Sequence, residues 1–82
     1  GTVIEPELFT VFPNPASGEF QVVLEDGANM VEVSNLLGQR LRSYRFSGRG
    51  KTSIQVSDLP PGVCIVTAIR GTGRQAKPVI IR

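Results

Sequence analysis

Apolar and polar positions alternate along much of this chain. Phe20, Val22 and Leu24 fall on one face of an extended segment, with Glu19, Gln21 and Val23 on the other. Val31 and Val33 alternate with Met30, Glu32 and Ser34, and Ile54 and Val56 with Ser53, Gln55 and Ser57. A period of two belongs to strands that bury one face. The segment Val63–Ile69 is apolar on both faces, which predicts a central strand whose outer face is also covered. Between Arg40 and Phe46 the phase slips: Leu41 points one way, while Tyr44 and Phe46 point with Arg40 and Arg42. Such a slip predicts a bulge, or aromatics that cover an edge.

Nine glycines and six prolines cut the chain into short pieces. They cluster at 13–18, 25–27, 38, 47–50, 58–62 and 71–73, where Gly supplies positive φ, Pro fixes φ, and Asn, Asp and Ser bond local backbone. The pieces between them have strand length. The expected strands are 8–12, 19–24, 29–35, 39–46, 51–57, 62–70 and 74–81. About seven strands with turn signals every 8–12 residues predict an all-β fold, an antiparallel β-sandwich. Leu36-Leu37-Gly38-Gln39-Arg40-Leu41 is too short and too interrupted by Gly38 to make more than one helical turn. Residues 1–7, with Glu5-Pro6-Glu7, read as a linker from a preceding domain, and 8–82 as one folded domain.

Composition narrows the function. The 82 residues are 40% hydrophobic and 20% charged, with mean hydropathy +0.04, a globular balance. The longest unbroken apolar run, Val63-Cys64-Ile65-Val66, is far short of the roughly 20 residues of a spanning helix. No basic start leads into an apolar core, so an export leader is expected elsewhere or already removed. There is no His and one Cys, which excludes His-dependent triads, Cys/His zinc sites and an internal disulfide. Residues 1–38 hold six acids and no base; residues 39–82 hold nine bases and one acid, Asp58. Acidic and basic strands paired within one sheet account for that asymmetry most simply.

Several fragments imitate functional motifs and fail in context. Gly48-Arg49-Gly50-Lys51-Thr52 ends like a phosphate loop, but Arg45 stands where the first Gly is required and a strand follows instead of a helix. Gly71-Thr72-Gly73-Arg74-Gln75-Ala76 matches G-x-G-x-x-A without room for the helix and second strand of a dinucleotide fold. Both read as hairpin turns. Cys64 lies in the most apolar strand, where a buried inert thiol is expected. Arg40, Arg42, Tyr44, Arg45, Phe46, Arg49 and Lys51 interleave bases with aromatics, the pattern nearest to a nucleic-acid site. The same charges keep a sheet edge soluble, and no nucleic-acid partner is assigned.

Four motifs in order carry a resemblance over residues 9–82. They are Phe12-Pro13-Asn14-Pro15-Ala16-Ser17-Gly18; Val33-Ser34-Asn35-Leu36-Leu37-Gly38-Gln39; Leu59-Pro60-Pro61-Gly62-Val63-Cys64-Ile65-Val66; and Lys77-Pro78-Val79-Ile80-Ile81-Arg82. In this the chain resembles the C-terminal sorting domains of proteins exported by the type IX secretion system of the Bacteroidetes. Cys64 replaces the usual Tyr, Ser34 stands where an aromatic or Asp is common, and Pro78 interrupts the last strand.

The resemblance implies an Ig-like sandwich that acts as an address and not as an enzyme, with no cofactor and no metal. It implies recognition by an outer-membrane translocon from the periplasmic side, then delivery to the cell surface or the medium. A sortase-like protease often removes the domain, and the passenger is joined to anionic lipopolysaccharide. The isolated domain is expected to be a monomer. The residues expected to bind the translocon are Pro15, Gly18, Gly62, Cys64, Lys77, Val79, Ile80, Ile81 and Arg82. The terminal strip from Lys77 to Arg82 is expected to add to a partner's sheet edge, with Pro78 marking an edge strand. Its removal is expected to abolish sorting while an upstream core largely survives. The alternative is a carbohydrate-binding or adhesin-type β-sandwich accessory domain, which needs an exposed platform drawn from Phe9, Phe12, Phe20, Tyr44 and Phe46.

Overall fold

A computed structural model describes residues 8–25, 28–46 and 50–82. Seven strands follow in order: β1 (Phe9–Ser17), β2 (Glu19–Leu24), β3 (Met30–Ser34), β4 (Arg40–Arg45), β5 (Gly50–Gln55), β6 (Gly62–Arg70) and β7 (Gly73–Ile81). The first half of β1 pairs antiparallel with β2, and β2 with β5. The other sheet runs β4-β3-β6-β7, antiparallel throughout. First, second and fifth strands in one layer against third, fourth, sixth and seventh in the other is the strand distribution of an Ig-like sandwich.

The core lies between the layers. Phe9, Phe20, Val22 and Ile54 from one sheet meet Val31, Val33, Val66 and Val79 from the other, all fully buried. The alternations read from the sequence hold here, because residues two apart share a face. Tyr44 and Phe46 are half-buried and pack against this core. The phase slip in β4 is a bulge: Val33 pairs with Arg42 and Ser34 with Arg40, leaving Leu41 as the extra residue. The bulge turns Arg42 and Tyr44 inward while Arg40 stays on the outer face.

Two expectations are corrected. The Pro13–Gly18 cluster, expected as the break between strands 8–12 and 19–24, is for the most part strand. β1 continues through it, leaves β2 after Phe12, and reaches the other sheet, where Ala16 pairs parallel with Ile81. Prolines at 13 and 15 have no N–H to continue the first ladder, so the chain is free to change sheets there. Only Gly18 makes the turn, at φ 82°. The outer face of β6 is also not covered: Val63 is exposed, and Ile65 and Ile69 are half-buried. The segments 26–27 and 47–49, with the expected turns there and Arg49, lie outside the described residues, as does the 1–7 linker.

Candidate functional site

The four sequence motifs converge on one end of the sandwich. Residue 8 lies at the opposite end, where Phe9 pairs with Leu24 and Leu24 with Gly50. At the far end, here called distal, β1 finishes beside the last residues of β7, and the β3–β4 and β5–β6 loops close in.

Asn14 organises this end. Its Nδ2 donates to the Pro78 carbonyl at 3.1 Å, and its Oδ1 accepts from the Ile80 N–H at 3.0 Å. One carboxamide thus stands in for a peptide group of a neighbouring strand. Both bonds leave β7 on the side away from β6, so the nitrogen of Pro78 faces the side where no β6 partner waits. That is why proline is tolerated in a strand paired along its whole length. The Arg82 N–H donates to the Ala16 carbonyl at 2.9 Å and completes the seam. Replacing Asn14 with Ala is expected to cost about 1–2 kcal/mol for two bonds. Hydrogen exchange at Ile80 should accelerate much more than at Val79, which bonds toward β6; equal acceleration would remove Asn14 from this role.

The loops are held as firmly. Gly18 accepts from the Val56 N–H at 2.8 Å. Asn35 Oδ1 accepts from the N–H groups of Leu37 and Gln39 at 3.0 and 2.9 Å, which fixes the β3–β4 tip. That tip projects Leu36 and Leu37, 69% and 86% exposed. A shallow cleft of about 100 Å³ opens beneath it, lined by Leu41, Leu59, Pro60, Val63, Cys64 and Ile81 among others.

Arg42, turned inward by the bulge, donates to Asp58 in the β5–β6 loop. This bond holds the Asp58 carboxyl below its ordinary value of 3.8. The folded state therefore gains from the pair above the unfolded pKa and loses that gain as pH falls through the folded one. Arg42→Met is expected to flatten the acid side of the stability curve below about pH 4. Melts from pH 6 down to 2 check this, and parallel curves would dismiss the pair as a contributor.

The predicted site residues divide into three groups. Pro15, Gly18, Gly62, Ile80 and Arg82 lie at the distal surface. Cys64, Val79 and Ile81 lie at the same end but face inward, 3%, 0% and 4% exposed. Burial pushes the Cys64 thiol up, so it stays protonated and inert. Lys77 stands apart, mid-strand on the inner face of β7. Its Nζ donates to the Phe9 carbonyl at 2.7 Å and sits 5.0 Å from the Phe9 ring. An inward lysine at the open side of a sandwich discourages further strand addition. The terminal strip is therefore no loose end. It is paired on both sides, by β6 and by the end of β1, and it contributes two core side chains, so its removal is expected to weaken the upstream core and not to leave it largely standing.

Asn14, Ala16 and the Arg42–Asp58 pair were not legible as site residues. An Asn between two prolines was a usable signal, since its side chain is the nearest available donor. Nothing local named its partner strand.

The aromatic platform of the alternative reading is absent among the described residues. Phe9 and Phe20 are buried, Tyr44 and Phe46 stack on each other at 6.5 Å against the core, and only Phe12 is exposed. Gly50–Gln55 is a strand and Gly71 a hairpin turn, as the failed nucleotide motifs required. A family model described as secretion system C-terminal sorting domain matches residues 10–82. No curated protein matches the chain.

Proposed function

The chain belongs to the C-terminal sorting domains of the type IX secretion system, and on that premise we propose that its distal end is the surface the export machinery reads. As a member of this family it is a sorting signal that engages the type IX machinery and directs export across the outer membrane, to the cell surface or the medium. The observation that supports the distal end is convergence. The exposed members of all four motifs meet there, opposite the end where a passenger would join through residues 1–7.

Pro15, Gly18, Gly62, Ile80 and Arg82 are the direct contacts in this reading. Cys64, Val79 and Ile81 act from beneath, by holding β6 and β7 in register. Lys77 acts by closing the sandwich against Phe9. The domain meets the translocon after transit through the periplasm, as a folded address without catalytic chemistry of its own. A sortase-like protease then cuts in the linker, and the passenger is attached to anionic lipopolysaccharide.

The test fuses residues 1–82 to a periplasmic reporter in a type IX-competent bacterium. The wild-type fusion should reach the surface or medium. Ile80→Ser with Arg82→Glu should accumulate in the periplasm while melting normally, because both side chains are solvent-exposed. Normal delivery of that folded variant would refute the distal-end reading.

A further inference from the structure

The two outer faces of the sandwich differ in kind. On the three-stranded sheet, polar side chains satisfy one another across strands. Gln21 Nε2 donates to Ser53 Oγ and Gln55 Nε2 to Glu19 Oε2, each at 2.6 Å, and Lys51 Nζ lies 5.4 Å from the Phe12 ring. On the four-stranded sheet, register builds rows of another composition. Arg45, Met30, Ile69 and Arg74 form one row across β4-β3-β6-β7, and Arg40, Ser34, Ile65 and Pro78 form another. Val63 and Ile80, 40% and 48% exposed, pair directly beyond the second row, and Arg82 follows Ile80 at the end of the chain.

Between these two rows lies a third, Ser43, Glu32, Thr67 and Ala76, so the apolar side chains form a strip along β6 and β7 and not a continuous floor. An arginine stands at each corner of the face: Arg40 and Arg45 on β4, Arg74 on β7 and Arg82 just past its end. All four are exposed. Glu32, the acid within the face, is 3.6 Å from Arg40. Arg45, Arg74 and Arg82 pair with no carboxylate among the described residues. Four strands at about 4.8 Å spacing place the two arginine columns roughly 14 Å apart.

We infer that this whole face, and not the distal end alone, is a docking surface for a protein partner that presents an apolar ridge flanked by carboxylates. The inference rests on the domain being read as a folded address. The charge pattern selects the partner. A second copy meeting this face through a two-fold axis would bring arginine against arginine. A bilayer would require apolar groups that reach past the charged rim. Here Met30, Ile65 and Ile69 are half-buried, Glu32 lies in the middle row, and the arginines stand at the margins. A face of about 20 × 20 Å is about half the area per partner of a standard stable interface. Contact through it is therefore weak, steered by charge and salt-sensitive, as suits an address that must later be released.

Arg45 and Arg74 decide the matter, because they lie at the end of the face farthest from the four motifs. The experiment compares reporter fusions carrying the wild-type domain, Arg45→Glu/Arg74→Glu and Arg45→Lys/Arg74→Lys. Melts of each purified domain accompany them. The Glu pair should be delivered at least tenfold less efficiently with an unchanged melting temperature. The Lys pair should be delivered as wild type, since steering reads charge and not guanidinium geometry. Purified wild-type domain should bind detergent-solubilised type IX translocon with an on-rate that falls as salt rises. Should the Glu pair lower the melting temperature, single Arg74→Glu replaces it, at an exposed position beside the β6–β7 turn. Equal delivery of the folded Glu variant would overturn the inference. So would arginine-dependent binding to phosphatidylglycerol vesicles, or arginine-dependent dimerisation in sedimentation. Loss of delivery with Ile80→Ser/Arg82→Glu but not with the Glu pair would leave the distal-end reading standing and reject the extended face alone.

Discussion

A chain ending at Ala76 is expected to be unfolded at room temperature. Removing Lys77–Arg82 takes away Val79 and Ile81, which are 0% and 4% exposed in the core. Burying an aliphatic side chain of this size is worth about 1.5–3 kcal/mol. The cut also removes half of the β6–β7 ladder, the Asn14 clasp on Pro78 and Ile80, and the Lys77 bond to Phe9. A domain this small holds only about 3–5 kcal/mol in total. The loss is as large as the reserve. Far-UV circular dichroism and a thermal melt of residues 1–76 test this, and a cooperative transition near that of the full chain would prove it wrong. Failure of such a truncation to be exported then says nothing about which residues are recognised. Substitutions that spare the fold are needed for that.

Gly62→Val should destabilise the domain by about 1–3 kcal/mol, whereas Cys64→Tyr should cost less. Gly62 has φ 144°, a region that β-branched residues reach only with strain, while a Cβ there would meet no atom within 4 Å. The penalty is therefore conformational and not steric, and relaxation of neighbours does not relieve it. Cys64 borders the cleft of about 100 Å³, where a ring can turn toward space and a phenolic oxygen toward solvent. Denaturant melts of both variants decide the order. A Cys64→Tyr domain less stable than Gly62→Val would mean that the cleft cannot admit a ring.

The strands were readable because each signal is local. Alternation at Phe20-Val22-Leu24, Val31-Val33 and Ile54-Val56 needs no knowledge of partners, since a strand's own pleat separates its two faces. The slip at Leu41 was readable for the same reason: one extra residue breaks the alternation wherever the strand lies. The segment after Phe12 was misread because proline marks a turn and a change of sheet equally well. Which of the two occurs depends on β7, more than 60 residues later.

The sequence by itself determined seven short strands, their buried faces, the β-sandwich class and, through four ordered motifs, the family. Each follows from the order of residues along one strand or turn. Only the tertiary structure decided what the motif residues do. Lys77 and Arg82 look alike as bases bracketing an apolar strip. The inner face of β7 commits Lys77 to the Phe9 carbonyl, while Arg82 stays exposed at a corner of the outer face. Arg40 and Arg42 are two residues apart, yet the bulge sends one outward and the other to Asp58. Such assignments depend on cross-strand register, which pairs residues distant in the chain. A one-residue slip would exchange the faces and with them the roles of every side chain on the strand.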